Sequence, residues 1–495
     1  MASKPKRRRI FPNVGARLAA PSGDLNVKST PWDACGLELQ QQSSACLQLC
    51  RHHLAMATFA ALAILTVSSP CVRAQAHPLP GPDVREIYNR LLPEIEQIRA
   101  FDNHGHPGYA NDPEVDAMEI PSDSSAPLRL RDENTEILDA VKFLFNYPYA
   151  DFSPDHQRWL VDQKAAAKAK LGASYFSHIL DQVGIETAIA NRVSMPPYLD
   201  PARFRWVFFV DNFLFPFDTQ QLESRNPDQK LNLPLERKLL ARNLRQAHLE
   251  NLPSDFHDYL KFVTGIVEAD KANGGVGIKF EIAYFRSLHF DDPEESRASA
   301  IYAKYRQSGI PTFAEYHDFQ DYVFRYLLRE AARLHLPVQI HTSVGGGDFY
   351  MIEESSVMGL ENILRDPRYE NVTFVLLHGG YPHQSEAVWL TARKNVYLDS
   401  SLMGIFVYPA ELRRTLKQWL ELFPDKIVFG SDTFPLSEAN GAEEGYWLAL
   451  KSARLAVAAA LAEMVSEKEI TEAQALQMAR AYLHDTAAKI YAPAH

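Results

Sequence analysis

Beyond residue 76 the chain has no cysteine: Cys35, Cys46, Cys50 and Cys71 all precede that point in a sequence of 495 residues. The body 77–495 therefore has no thiolate nucleophile, thiolate metal ligand or disulfide, and any metal it binds must be held by nitrogen and oxygen. Glycine is scarce, 23 residues in all, and neither a glycine-rich dinucleotide fingerprint nor a phosphate-cradling loop motif occurs. The apolar run 54–67 falls short of the roughly 18–20 residues that a membrane-spanning helix needs. Basic charge is not in excess either. Asp and Glu number 62 against 51 Lys and Arg, for a net charge of -11, which excludes the broad basic face of a nucleic-acid binder. With 46% hydrophobic and 23% charged residues, the composition is that of a folded globular protein.

The charge is unevenly placed. Residues 1–55 contain eight Lys or Arg against Asp24, Asp33 and Glu38, whereas 77–495 carries a net -17. Between them the uncharged run 54–67 has the length of a signal-peptide core, followed by Ser68-Ser69-Pro70 and the small-x-small pattern Ala74-Gln75-Ala76. Cleavage there leaves His77 at the terminus. Met56 at the head of the run, or a start between it and Met1, offers an alternative beginning. The expectation is a leader over 1–76 that directs a body over 77–495 to the periplasm or outside the cell, with no stable membrane insertion after processing. A non-functional leader implies the cytoplasm.

Within the body, short apolar runs alternate with helical patterns. Candidate strands fall at 98–106, 185–193, 204–213, 276–284, 338–342, 373–379, 396–400 and 427–432, with helical periodicity at 319–334, 411–423 and 446–465. Eight strands with intervening helices predict an α/β fold, a (β/α)8 TIM-like barrel. The stretches 110–180 and 214–255 are too long for simple connections and predict helical insertions after the first and third strands.

Four of these strands end in metal-ligating residue types. The first ends Asp102-Asn103-His104-Gly105-His106, where two histidines at i and i+2 on a strand share a face. Val338-Gln339-Ile340-His341 opens into Gly345-Gly346-Gly347, a third strand ends Leu376-Leu377-His378, and the eighth ends Gly430-Ser431-Asp432. Lys279 lies near the end of the fourth strand with Glu281 on its face, and Arg286 and His289 follow. A guanidinium at that mouth could clamp a substrate carboxylate.

The ordered set His-x-His, His, His, Asp resembles the amidohydrolase superfamily, in its amidohydrolase-related branch, and the flanks of His341 and His378 are most similar to the nodulin-type group fused to glutamine synthetase. The resemblance implies that His104, His106, His341 and Asp432 bind one divalent metal, zinc, while His378 stands beside the activated water and Asp432 receives its proton. A carboxylated lysine on this strand bridges two metals in binuclear members, so the resemblance leaves Lys279 as a metal bridge, a substrate-carboxylate contact or a structural ion pair. The function expected is a metal-dependent hydrolase acting on an amide or related C–N bond of a small substrate, with a carboxylate on that substrate as one option. A metal-dependent decarboxylase on the same scaffold and a non-catalytic binding protein are the alternatives, and pairing of barrels into a homo-oligomer is an expectation from the same family.

Overall fold

The structure, a computed structural model, describes residues 82–119, 125–131 and 134–492. The segment read as a leader, 1–76, lies outside the described residues. Eight short strands run parallel in one sheet: β1 (Ala100–Asp102), β2 (Ile185–Asn191), β3 (Phe204–Phe209), β4 (Gly275–Phe280), β5 (Val338–Ile340), β6 (Phe374–Leu376), β7 (Val396–Asp399) and β8 (Ile427–Val428). Each pairs with the next in chain order. The two edges meet as well. Asn103 N–H donates to the Phe429 carbonyl at 2.9 Å and Ser431 N–H to the His104 carbonyl at 3.1 Å, so the sheet curls into a barrel. All eight segments read as strands are strands, but most are shorter than their apolar runs. β1 stops at Asp102, so His104 and His106 belong to the turn beyond it and not to a pleated strand.

Among the described residues, counting helices of six residues or more, α1 (Pro82–Glu96) precedes the sheet. The connection from β1 to β2 carries α2 (Thr135–Phe145), α3 (Pro154–Leu171) and α4 (Tyr175–Val183). That from β3 to β4 carries α5 (Gln220–Arg225), α6 (Gln229–Gln246) and α7 (Phe256–Ala272). Next come α8 (Glu295–Tyr305), α9 (Phe313–Leu334), α10 (Pro409–Leu422), α11 (Ala442–Ser466) and α12 (Glu472–Arg480). Helix α9 shows why such segments form. Thr312 and Glu315 make a reciprocal capping box at its start, Tyr316, Phe319, Val323, Phe324, Leu327, Leu328 and Ala331 bury one face, and His335 ends it at φ 53°. Each large apolar side chain on that face contributes about 1.5–3 kcal/mol by leaving water. Helix α11 buries Ala449, Ala453, Ala456 and Ala460, small side chains that let α1 and α10 pack closely against it.

The strands sort their side chains by alternation. Trp206 and Phe208, or Phe374 and Leu376, join the large core beneath the helices. Phe101, Ile189, Val207, Val375 and Val428 form a separate small core inside the barrel. Tyr491 joins that inner layer, its ring stacked on Phe101 with centroids 6.0 Å apart. No helix among the described residues is long and apolar enough to cross a membrane.

Candidate metal centre

Two residues beyond the apolar inner layer, the barrel interior becomes polar. Asn103, Asn191, Lys279, Gln339 and Asp399 are all fully buried, and most of them are tied into one network. Gln339 Nε2 donates to the Asn103 carbonyl at 2.8 Å and to Tyr491 Oη at 2.6 Å. Asn191 Nδ2 donates to Gln339 Oε1 at 2.6 Å. Tyr491 Oη donates to Asn103 Oδ1 at 2.9 Å, and Asn103 Nδ2 to Asp399 Oδ2 at 2.7 Å. The His104 ring rests on this layer, its Nδ1 lying 2.8 Å from Asn191 Oδ1 and 3.2 Å from Gln339 Oε1. Both neighbours are acceptors, so Nδ1 carries the proton and Nε2 presents a lone pair.

That lone pair faces Asp432 Oδ1 at 3.0 Å. With its proton on Nδ1, His104 Nε2 has none to donate to Asp432, and it is buried without any other partner. Two acceptor atoms at this distance in a dry site repel unless a cation lies between them, so the arrangement fits a metal ion. His106 Nε2 is 3.5 Å from the same oxygen, and His378 Nδ1 is 3.8 Å from Asp432 Oδ2. Donor atoms of His104, His378 and Asp432 all lie within 4.8 Å of one another. His341 Nε2 donates to the Val344 carbonyl at 2.7 Å, which leaves its Nδ1 as a second inward lone pair, 2.9 Å from His378 Nε2. Ser401 Oγ is 3.0 Å from His378 Nδ1.

The backbone at these positions is unusual. His378 and Asp432 both have positive φ, 63° and 52°, in the left-handed region that non-glycine residues avoid at a cost of about 1–3 kcal/mol each. They are held there by their surroundings. Asp432 N–H donates to the His104 carbonyl at 2.7 Å, and His378 N–H to Asp399 Oδ1 at 3.3 Å. Buried Asp102 takes Ser431 N–H at 2.7 Å and Ser431 Oγ at 2.6 Å, locking the turn that bears His104 to the turn that bears Asp432. A Cβ at Gly105 would come within 3.1 Å of Ser431 Oγ, which explains the glycine between the two histidines.

Burial sets the protonation states. It drives His106 and His378 well below the ordinary imidazole range and His341 down to about 3, with neighbouring His104, His341 and Lys279 acting in the same direction. Burial by itself would raise Asp432, but the imidazoles around it hold it well below the usual carboxylate value. Neutral rings facing an ionised carboxylate are the states that a divalent metal requires. On the β3–β4 side the balance is reversed. Burial pushes Asp116, Asp211, Glu236 and Glu281 upward, and the charge of neighbouring acids adds to it at Asp116, Asp211 and Glu236.

The turns beyond β1, β6 and β8 thus bring His104, His106, His378 and Asp432 together, with His341 against His378. Lys279 lies fully buried with Nζ 3.6 Å from Glu281 Oε1 and no hydrogen bond. Arg286 is used elsewhere. It is 4% exposed, pairs with Asp321 at 2.6 Å and donates to the Ser287 and His289 carbonyls at 3.1 and 2.7 Å. It therefore stands as an internal ion pair, with its guanidinium committed to the protein instead of being free to clamp a substrate carboxylate. Sequence reasoning gave no role to Asp102, Asn191, Gln339, Asp399 or Tyr491. The signal for several of them was a single polar residue at an inward position of an otherwise apolar strand.

Residues 283–492 match the Amidohydrolase family model, a span that includes His341, His378 and Asp432. Protein fluG of Emericella nidulans is 28% identical over 227 residues, covering 44% of this chain and 25% of that protein. The chain thus spans about a quarter of the length of that curated relative. Among solved structures, a Lactobacillus casei protein named as a metal-dependent hydrolase superposes with TM-score 0.53 at 19% identity, over 81% of this chain and 97% of that one. The uronate isomerase of Thermotoga maritima gives 0.54 at 13% identity, over 84% and 100%. At such identities the likeness is one of fold.

Proposed function

We propose that this chain, an enzyme of the amidohydrolase type, hydrolyses an amide or related C–N bond of a small molecule at the centre formed by His104, His106, His341, His378 and Asp432. We assign His104, His106, His341 and Asp432 as ligands of one zinc ion and His378 as the group beside the reacting water. The observation that carries this reading is the buried, unpartnered His104 Nε2, 3.0 Å from Asp432 Oδ1. A divalent metal bound there supplies Lewis acidity and brings the pKa of a water molecule toward neutrality.

The chain's own residues do the rest. Asp432 Oδ2, on the His378 side, is placed to accept the proton released by water. His378 is held in one orientation by Ser401 against Nδ1 and His341 against Nε2; with His341 Nδ1 given to a metal, His378 Nε2 would be the N–H left to face a carbonyl oxygen. The Asn191–Gln339–Tyr491 network keeps the His104 tautomer fixed. Helices α2–α3 and α5–α6 are read as insertions on the barrel. With Arg286 engaged by Asp321, the decarboxylase alternative has no carboxylate clamp at that position.

Metal analysis of the purified body together with a panel of amides tests the reading. One ion per chain and release of amine are expected, and His104→Ala and His341→Ala should each abolish metal binding. Full metal content in both variants refutes the site. Two ions per chain, with loss of metal in His378→Asn, would make His378 a ligand and Lys279 a bridge.

A further inference from the structure

Beside the metal centre the barrel mouth holds acids that the hydrolysis does not use. Asp116 from the β1–β2 connection, Asp211 just after β3 and Glu281 just after β4 gather near His106. Asp116 Oδ2 is 3.2 Å from His106 Nδ1, and Glu281 N–H donates to Asp211 Oδ2 at 2.9 Å. Donor atoms of His106, Asp116 and Glu281 lie within 4.8 Å of one another. Such a cluster on its own would say little. Glu236 supplies the independent observation. It comes from α6, outside the sheet, is fully buried, and neither of its carboxylate oxygens has a hydrogen-bond partner. The groups whose charge acts on it are Asp211, Glu281 and Asp116. Glu281 Oε2 and Asp211 Oδ1 are also buried without partners.

Four carboxyl groups therefore converge, and three of them, Asp211, Glu236 and Glu281, have acceptors unfilled. Lys279, the cation placed against them, approaches Glu281 only to 3.6 Å and makes no hydrogen bond. Lys279 leaves the buried oxygens of Glu236 without a donor, and a buried carboxyl whose acceptors go unmet is disfavoured. A ligand bringing positive charge and several N–H donors supplies the missing hydrogen bonds and favours the ionised form of the acids around it. Asp116 forms the exposed edge of the cluster, its side chain 28% exposed against 3% for Glu281.

We propose that Asp116, Asp211, Glu236 and Glu281 form a subsite for a primary ammonium group on the substrate, so that the scissile amide lies on the Asp432 side of His106 and the cationic end lies among the acids. The proposal rests on the amide-hydrolysis reading and names its substrate class, a short aliphatic amide ending in an amine. A divalent ion is the competing occupant. It would have to share His106 with the metal centre and sit beside Lys279, whereas an ammonium carries donors for the unfilled acceptors.

The test uses the metal-loaded full-length protein and two probe pairs. In titration calorimetry 1,4-diaminobutane should bind and 1,4-butanediol should not. In turnover, N-acetyl-1,4-diaminobutane should exceed N-butylacetamide in kcat/KM by about tenfold or more, chiefly through KM, because a site built for hydrogen-bonded polar groups rejects analogues that lack them. Glu236→Gln and Asp211→Asn should each shrink that preference at the parent's metal content. Loss of one metal equivalent in these variants would make the cluster a metal site and overturn the proposal, as would equal affinity for diamine and diol with no preference between the amides. If the variants do not fold, the probe comparison on the parent protein decides alone. Diamine binding without cleavage of either amide would uphold the subsite and defeat the hydrolysis reading.

Discussion

Replacing Gln339 by Met should separate the support of the metal centre from its ligands. Gln339 touches no proposed substrate, and Met roughly conserves its volume, so little cavity or overpacking cost arises. What disappears is the amide. Asn191 Nδ2 loses an acceptor at 2.6 Å, and the Asn103 carbonyl and Tyr491 Oη each lose a donor, at 2.8 and 2.6 Å. All three lie in the closed interior, where an unmade hydrogen bond costs about 1–3 kcal/mol. With partial relaxation the variant should be destabilised by about 3–5 kcal/mol, a large part of the roughly 5–15 kcal/mol that typically holds a domain together. The released Asn191 amide is then free to turn, so the His104 tautomer is no longer imposed from both sides, and metal affinity should fall about 10–100-fold. Urea unfolding of the metal-free protein measures the first effect, and competition with a chromophoric chelator, below the unfolding range, measures the second. A variant within about 0.5 kcal/mol of the parent that also holds metal as tightly would refute the account of the inner polar layer.

Other outcomes follow from the same geometry. His378→Asn should retain the metal and lose about 10²–10⁴-fold in turnover, the usual contribution of an acid–base group, while Asp432→Asn should lose both metal and turnover; metal content measured beside kcat distinguishes them. The metal-free protein should lose stability as the pH falls from about 6.5 toward about 3, because His341 stays neutral in the fold down to about 3 but takes up a proton in the unfolded chain below the ordinary imidazole value. The unfolded state then binds more protons, so stability falls with falling pH by up to about 1.4 kcal/mol per unit for that residue; thermal melts across the range that stay flat would contradict its neutrality. Protein recovered from fractionated cells should begin near His77, and N-terminal sequencing showing residues 1–76 intact in the cytoplasm would refute a cleaved leader.

What the sequence disclosed and what it hid have a common physical origin. Apolar runs mark strands because both faces of a barrel strand are buried, so all eight strands were legible in the chain, Ile185–Asn191 and Val396–Asp399 among them. Residues such as His341 and Asp432 stood out because a titratable group ending an apolar strand is costly without a use. Their exact carriers were harder to read. His104 and His106 looked like alternate residues of one strand, yet the strand ends at Asp102, and the two rings reach Asp432 through a turn whose shape depends on Asp102 and Ser431, far apart in sequence. Arg286 was read from its position near the mouth, but Asp321, its partner on α9, lies a whole helix away, and no local pattern announces the pair.

The inner polar layer was the least legible part, and it explains why the ligands sit as they do. Gln339 is one polar residue between Val338 and Ile340, a pattern that half-exposed strands also show, and only closure of the sheet turns that position inward. Once inward, an amide there is tolerable only if every donor and acceptor on it is met, because the unmet ones would cost as much as the strand's own packing gains. Asn103, Asn191 and Tyr491 meet them, and the demand passes outward to His104, whose Nδ1 proton is fixed by it. The orientation of the lone pair at Nε2 is therefore decided at the far side of the ring, in a layer that makes no contact with the reacting bond. The acids around Glu236 break the same rule. Both Glu236 oxygens, Glu281 Oε2 and Asp211 Oδ1 are left unmet, and the cationic ligand proposed for them is the partner that would complete that side of the mouth.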